Sequence, residues 1–282
     1  MAGFDIELTL KASDVKSVHS TEQQPLGTRG RTSDGRIFRY ALNGATALVQ
    51  GVPVQTAAIE VPDKDTEFTS IINDTEEITS TFRQMKIETE LATKTIAANE
   101  YAEGYIRVAN STVYSGIKGT MVRIKSHDAS ATSSTDANGS TMTVVFADDD
   151  LFPSNLDTGA VVTLHHNPFW QVVVCVGGAD SSLVGGIVGV PIVAVAANKY
   201  FWAQTWGTCA VLADGVISPG AAVQISTSTS DAVSICSTYT TSTDVVLDMS
   251  YGAGAGRQRI GFALGSPGTD AFYHLIFLTI SP

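Results

Sequence analysis

Between Gly186 and Ser226 the chain admits little other than β structure. A β-branched run (Val188, Val190, Ile192, Val193, Val195) leads into Tyr200-Phe201-Trp202-Ala203-Gln204-Thr205-Trp206 and then Asp214-Gly215-Val216-Ile217-Ser218-Pro219-Gly220. The succession reads as strand, turn, aromatic strand, turn, strand. Strand side chains alternate between faces, which predicts that Tyr200, Trp202, Gln204 and Trp206 share one face as an aromatic stripe. With apolar strands on either side, Trp202 and Trp206 are expected on the core face. Nothing in this stretch carries chemistry, so it reads as scaffold.

At 282 residues the chain can bury a large core in one β domain or two smaller ones. Charged residues make up only 16% and hydrophobic ones 44%, with many Thr, Ser, Gly, Ala and Val. This implies a weakly charged, hydroxyl-rich surface of the kind that packs against copies of itself. The net charge of −11 comes from 17 Lys and Arg against 28 Asp and Glu, without any basic run, and argues against nucleic acid as a partner. Arg29, Arg31, Arg36 and Arg39 are the nearest approach to a basic cluster and read as a solvated edge or a subunit contact.

Cys175, Cys209 and Cys236 lack CxxC spacing and lie in apolar segments, as buried small hydrophobes do. Their odd number, with a start at Met1-Ala2-Gly3-Phe4 that has neither basic nor apolar leader character, suits synthesis in a reducing cytoplasm. Leu183 to Ala197 is the longest apolar run, but Pro191 and several glycines interrupt it and it is too short to span a bilayer, so no membrane partner is expected.

The expected fold is all-β, an antiparallel sandwich or barrel of jelly-roll type with an N-terminal arm and hairpin. Three segments are read: 1–60 as arm and hairpin, 61–178 as a β-rich domain, and 179–282 as a C-terminal barrel or sandwich domain. Met1 to Gln24 is weakly patterned and reads as an arm adding little to the core. Gly35 to Tyr40 alternates as a strand, Asn43-Gly44 supplies a hairpin turn, and Thr46 to Val54 would return. A short helix is expected around Asp74 to Met85. Strands then follow at Tyr105–Val108, Val122–Lys125, Met142–Phe146, Val161–Leu164, Val223–Ile225, Val233–Ile235, Val245–Leu247, Ile260–Leu264 and Leu275–Ile280. Ser126 to Ser140, rich in Ser, Thr and Ala, reads as a surface loop that buries nothing.

Chemistry is hard to place. No serine sits in G-x-S-x-G, which removes the nucleophile-elbow hydrolases. Gly116-Ile117-Lys118-Gly119-Thr120 is too short for a P-loop, and Gly252-Ala253-Gly254-Ala255-Gly256 ends in Arg257 where a dinucleotide fingerprint needs glycine, so both read as turns. His165 and His166 are adjacent on a strand and point to opposite faces, which disfavours chelation of one metal. Asp148-Asp149-Asp150 with Asp157 could offer oxygen ligands to Ca²⁺ but lacks the EF-hand spacing and reads as an acidic turn. Carboxylate pairs for glycoside hydrolysis are defined by spatial separation and stay open. Trp170, Trp202 and Trp206 could stack on sugars, though aromatic core is the stronger reading. No catalytic, cofactor-binding or metal residue is assigned.

Several ordered segments resemble one group of tailed-bacteriophage virion proteins. They are Ile96-Ala97-Ala98-Asn99-Glu100-Tyr101-Ala102-Glu103-Gly104-Tyr105, Lys125, Leu164-His165-His166-Asn167-Pro168, Gly189-Val190-Pro191, Tyr200-Phe201-Trp202-Ala203-Gln204-Thr205-Trp206-Gly207 and Ile260-Gly261-Phe262-Ala263-Leu264. Gly35 to Tyr40 followed by Gly44-Ala45-Thr46 is similar to the opening of the same group. The likeness runs from about Gly27 to the C-terminus, and its most specific element is Tyr-Phe-Trp-x-Gln-Thr-Trp-Gly; the loop Ser126 to Ser140 departs from it. The resemblance implies a non-enzymatic capsid decoration (cement) protein, made in the bacterial host cytoplasm and bound to the outside of the capsid, with the major capsid protein as partner and a homotrimer as its form. It implies no catalytic residue. The rival expectation is a tail or fibre protein binding a host receptor or glycan, and a more distant one is a polysaccharide-degrading virion enzyme.

Overall fold

The computed structural model describes residues 7–57, 67–69, 83–89, 96–111, 113–130, 140–156, 160–175, 185–226, 229, 231–236, 258–265 and 272–281. The chain divides into two compact units, one formed by Met1–Ile59 together with Pro168–Pro282 and the other by Glu60–Asn167. The second unit is thus inserted in sequence into the first, and the expected N-terminal segment and C-terminal domain both belong to the first.

Four strands precede the insertion: β1 (Leu8–Leu10), β2 (Arg29–Thr32), β3 (Ile37–Leu42) and β4 (Val54–Gln55). Six belong to it: β5 (Glu67–Thr69), β6 (Gln84–Thr89), β7 (Tyr105–Asn110), β8 (Met121–His127), β9 (Ser140–Phe146) and β10 (Val161–His165). Seven follow: β11 (Val173–Val174), β12 (Ile187–Pro191), β13 (Tyr200–Leu212), β14 (Ala222–Ile225), β15 (Val233–Ile235), β16 (Arg259–Gly265) and β17 (Tyr273–Thr279). The protein is all-β. Among the described residues the helical elements are two 3₁₀ turns, at Asp14–Lys16 and Ser115–Ile117. Pairing between strands is antiparallel except for β1 on β2.

In the first unit the sheet runs β1-β2-β3-β13-β17-β16-β14-β15, with β12 joining β13 to β4 and β4 joining β11. The long β13 organises it, carrying β3 along its first half and β17 along its second. Core forms on alternate positions. Cys209 and Val211 pack with Val223, Ile225, Ile260, Ile276 and Leu278, and Phe201 and Ala203 with Ala41, Leu48, Val54 and Val172. The sheet does not close into a barrel.

The inserted unit is a sheet in the order β5-β10-β7-β8-β9-β6. Period-two patterning is obeyed closely: Ile106 and Val108 on β7, Val122 and Ile124 on β8, and Met142, Val144 and Phe146 on β9 face one core, while Met121, Arg123 and Lys125 face outward. Such alternation is what an antiparallel sheet with one wet face requires.

Several expectations need correction. Residues 7–24 do not behave as a detached arm: β1 pairs with β2, His19 bridges to Tyr200, and Leu10 and Val15 pack in one cluster with Phe38, Tyr40 and Trp202. Leu10 reaches that cluster across Gly30, where an added Cβ would lie 2.3 Å from its Cδ1. The hairpin turn is not at Asn43-Gly44 but at Ser33-Asp34-Gly35, between β2 and β3, with Gly35 in the left-handed region at φ +84° as such turns need. Asn43 is buried, and its Nδ2 donates to the carbonyls of Thr46 and Ala196 at 2.9 Å, tying two loops together.

Of the helix expected around Asp74 to Met85, residues 74–82 lie outside the described residues, and Gln84 and Met85 are strand. The stretch 126–140 does bury residues. His127 ends β8 and is 4% exposed, and Ser130 bridges to Ile96. The His127 Nε2 accepts the Tyr101 N–H at 2.8 Å and Nδ1 lies 2.7 Å from the Asp128 carbonyl, which makes Nδ1 the protonated nitrogen. The expected strand at Val245–Leu247 and the turn Gly252–Gly256 lie outside the described residues.

Candidate functional site

A slip in β13 decides where the tryptophans go. Between Gln204 and Trp206, β13 advances two residues while β3 advances one. A bulge of this kind re-aims the side chains beyond it. Phe201 through Thr205 are all buried, but beyond the slip Gly207, Cys209 and Val211 are buried while Trp206, Thr208, Ala210 and Leu212 are more open. The continuous aromatic stripe expected from alternation is therefore broken. Trp202 is core at 4% exposure, edge to face against Tyr40, whereas Trp206 is half-buried. Trp170 is also half-buried.

The β2–β3 turn sits beside Trp206. Thr32 Oγ1 donates to Asp34 Oδ1 at 2.5 Å, and Arg36 Nε donates to Asp34 Oδ2 at 2.8 Å. The Thr32 hydroxyl above all holds the Asp34 carboxyl below the usual carboxylate range; burial opposes it, and the Arg36 guanidinium and backbone N–H add to the lowering. Gly207 has φ +89°, and a Cβ there would lie 3.0 Å from Arg36 Cγ, so glycine lets the arginine stem cross close to the strand. Asp34, Arg36, Trp206, Thr208 and Phe277 line a surface cleft of about 460 Å³.

Phe277 meets Trp206 edge to face, 5.6 Å between centroids at 80°, and stacks on Phe262 at 5.2 Å and 14°. The rings belong to an apolar outer face of the sheet. On β17 the inward positions are His274, Ile276 and Leu278, yet the outward ones are Tyr273, Leu275 and Phe277. With Phe262 and Leu264 of β16, Tyr273 and Leu275 are 40–46% exposed. The sequence carried a signal of this face: Tyr273-His274-Leu275-Ile276-Phe277-Leu278 has large apolar side chains at both parities, where a strand with one wet face shows them at one.

The candidate groups named from the sequence have other duties. Asp148 takes Lys125 Nζ at 2.9 Å and Arg83 Nη1 at 3.4 Å, and Asp150 Oδ2 accepts the Arg123 N–H at 2.7 Å. The acidic turn thus neutralises cations of its own sheet; Asp157 lies outside the described residues. His165 and His166 diverge: the His165 Nε2 lies 3.0 Å from Thr163 Oγ1, and the ring of His166 stacks on Tyr101 at 4.1 Å. Burial, and secondarily Arg107, lowers the His165 pKa. Among the described residues no three His, Cys, Asp or Glu gather as a metal would need.

Arg29 lies 3.8 Å from Glu7, and Arg39 Nη1 donates to the Gly27 carbonyl at 3.0 Å. Cys175 and Cys209 are buried as expected and their thiols are pushed up to about 12 by burial, while Cys236 is half-exposed. Gly119 turns at φ +82° after the Ser115–Ile117 3₁₀ turn.

No helix of the described residues is long and apolar enough to cross a membrane. Comparison with protein-family models, with curated proteins and with solved structures finds no match.

Proposed function

We propose that the chain is a non-enzymatic structural protein of a tailed-bacteriophage virion, a decoration (cement) protein that binds the outside of the capsid and braces it. Its partners in this reading are the major capsid protein and two further copies of itself. The observation that carries the proposal is the outer face of β16 and β17, where Phe262, Leu264, Tyr273 and Leu275 stand open to solvent on adjacent strands. Contiguous exposed apolar surface marks interaction sites in soluble proteins. The low charge density supports the same reading, since charged residues are depleted where proteins pack together. The resemblance of the Tyr200 to Gly207 segment to phage virion proteins supplies the capsid context.

Light scattering at micromolar concentration and particle reconstitution test it. A trimer is expected, with saturable binding to undecorated capsids at hundreds of copies per particle, and a Leu264→Asp/Leu275→Asp double variant should lose binding while melting near the parent temperature. A monomer that leaves capsids bare would remove the proposal.

A further inference from the structure

We infer that the cleft between the β2–β3 turn and β13 binds a neutral pyranose unit of an oligosaccharide. This goes beyond the capsid reading and stands without it. Three observations converge on one ligand class.

The first is the wall. Trp206 is half-buried, which leaves part of its indole open, and Phe277 braces it edge on at 5.6 Å while being itself stacked on Phe262. A braced indole at the surface offers a flat, electron-rich face. The axial C–H bonds on one face of a pyranose are the matching surface, apolar and slightly positive.

The second is the polar rim. Asp34 is fixed by Thr32 and Arg36, and its side chain keeps 54% exposure. A carboxylate has about four lone-pair positions, and Asp34 accepts from Thr32 Oγ1, Arg36 N and Arg36 Nε, so about one acceptor position remains for a sugar hydroxyl. Arg36 gives Nε to Asp34, and its guanidinium carries further N–H donors; Thr208 adds an exposed hydroxyl at the same cleft. Acceptor, donor and hydroxyl beside an aromatic face is the complement of a polyol with one apolar side. The turn is already held by its own hydrogen bonds, so binding orders little that was loose.

The third is charge and size. Asp34 and Arg36 cancel one another 2.8 Å apart, so the rim offers no net charge to a phosphate, sulfate or uronate. The cleft, at about 460 Å³, falls in the ordinary range for small-molecule sites of about 300–1,000 Å³. It lies at the surface of the sheet and suits one unit of an extended chain.

The test uses the full chain and a panel of neutral tetrasaccharides (cello-, manno-, xylo- and chito-), with uronate and sulfated oligosaccharides alongside, followed by tryptophan emission and calorimetry. One neutral series is expected to bind and shift the emission. Trp206→Ala and Asp34→Ala should each weaken it at least about tenfold, the latter through loss of charge-assisted hydrogen bonds, while Trp206→Tyr retains binding within a few-fold. Should Trp206→Ala fail to fold, Asp34→Ala and Thr208→Val, both at exposed positions, carry the decision. The inference is overturned if no neutral oligosaccharide binds, if binding is unchanged in Asp34→Ala, or if the charged oligosaccharides bind more tightly than every neutral one.

Discussion

Trp202 and Tyr40 meet edge to face, 5.0 Å between ring centroids and 62° between planes, at directly opposed positions of β13 and β3. Four residues on, Trp206 has crossed the bulge and lines a cleft. The two indoles therefore differ in what their removal damages. Trp202→Ala should cost about 3–5 kcal/mol through lost burial and the cavity left among Phe38, Tyr40 and Leu10. Trp206→Ala should cost less, roughly 2 kcal/mol, since its side chain is only partly buried. Urea titration of the two variants checks this, and equal losses would mean that the bulge does not separate their environments.

Residues 7–24 should be needed for the stability of the first unit. Val15 is 1% exposed and Leu10 shares its cluster, so deleting Met1 to Gln24 strips apolar cover from Phe38, Tyr40 and Trp202 and leaves β2 paired on its β3 side alone. The deletion is expected to lower the melting temperature and increase dye binding to exposed apolar surface. Val15→Ala alone should cost about 2 kcal/mol. Gly30→Ala should undo the same contact from the other side, since its Cβ would collide with the Leu10 side chain. A truncated chain as stable as the parent would restore the detached-arm picture.

What the sequence made legible was whatever obeys period two. The strands around Ile106, Val122 and Val144 were readable because one face of each is wet, so the alternation is visible in residue type. Long-range pairing was not readable. Asn43-Gly44 is a favoured turn dipeptide, but Asn43 is held by carbonyls of Thr46 and Ala196, and a contact across more than 150 residues leaves no local mark. The weakly patterned start was misread for a related reason: β1 is three residues long, too short to show a period, and owes its place to a glycine on its neighbour. The cleft could not be foreseen, because one extra residue in β13 re-aims Trp206 and such a slip has no reliable signature in a run of buried residues.

Acid should act on stability in two opposed stages. Asp34 and Asp148 are both held below the ordinary carboxylate range, Asp34 chiefly by Thr32 and Asp148 chiefly by Lys125. A depressed folded-state pKa contributes stability that is present above the unfolded value, about 4, and is lost as pH falls through the folded value. Asp231 has the opposite sign: burial raises its pKa, so its contribution improves as pH falls through that raised value toward the unfolded one. A plot of melting temperature against pH should therefore rise slightly as Asp231 takes up its proton and then fall modestly as Asp34 and Asp148 take up theirs. Asp34→Asn should shrink the fall and Asp231→Asn the rise. The fall should be smaller at high salt, because Asp34 and Asp148 are exposed and screened, whereas the rise, set by burial of Asp231, should persist. A curve that is flat to strong acid in the parent would contradict the assignment.

His274 is fully buried on β17, opposite Val211 and in line with Ile276 and Leu278, and neither of its ring nitrogens has a hydrogen-bond partner among the described residues. A buried polar group left without a partner costs about 1–3 kcal/mol, whereas replacing it by an apolar side chain of similar volume removes that cost and keeps the packing. His274→Leu is accordingly expected to be neutral or up to about 2 kcal/mol more stable than the parent. His274→Ala should be destabilised instead, because it removes volume next to Val211 without filling it. The two variants separate packing from hydrogen bonding, and the midpoint of guanidinium unfolding reads both. If His274→Leu were destabilised as strongly as His274→Ala, the imidazole would have to be making a hydrogen bond that holds β17 in place.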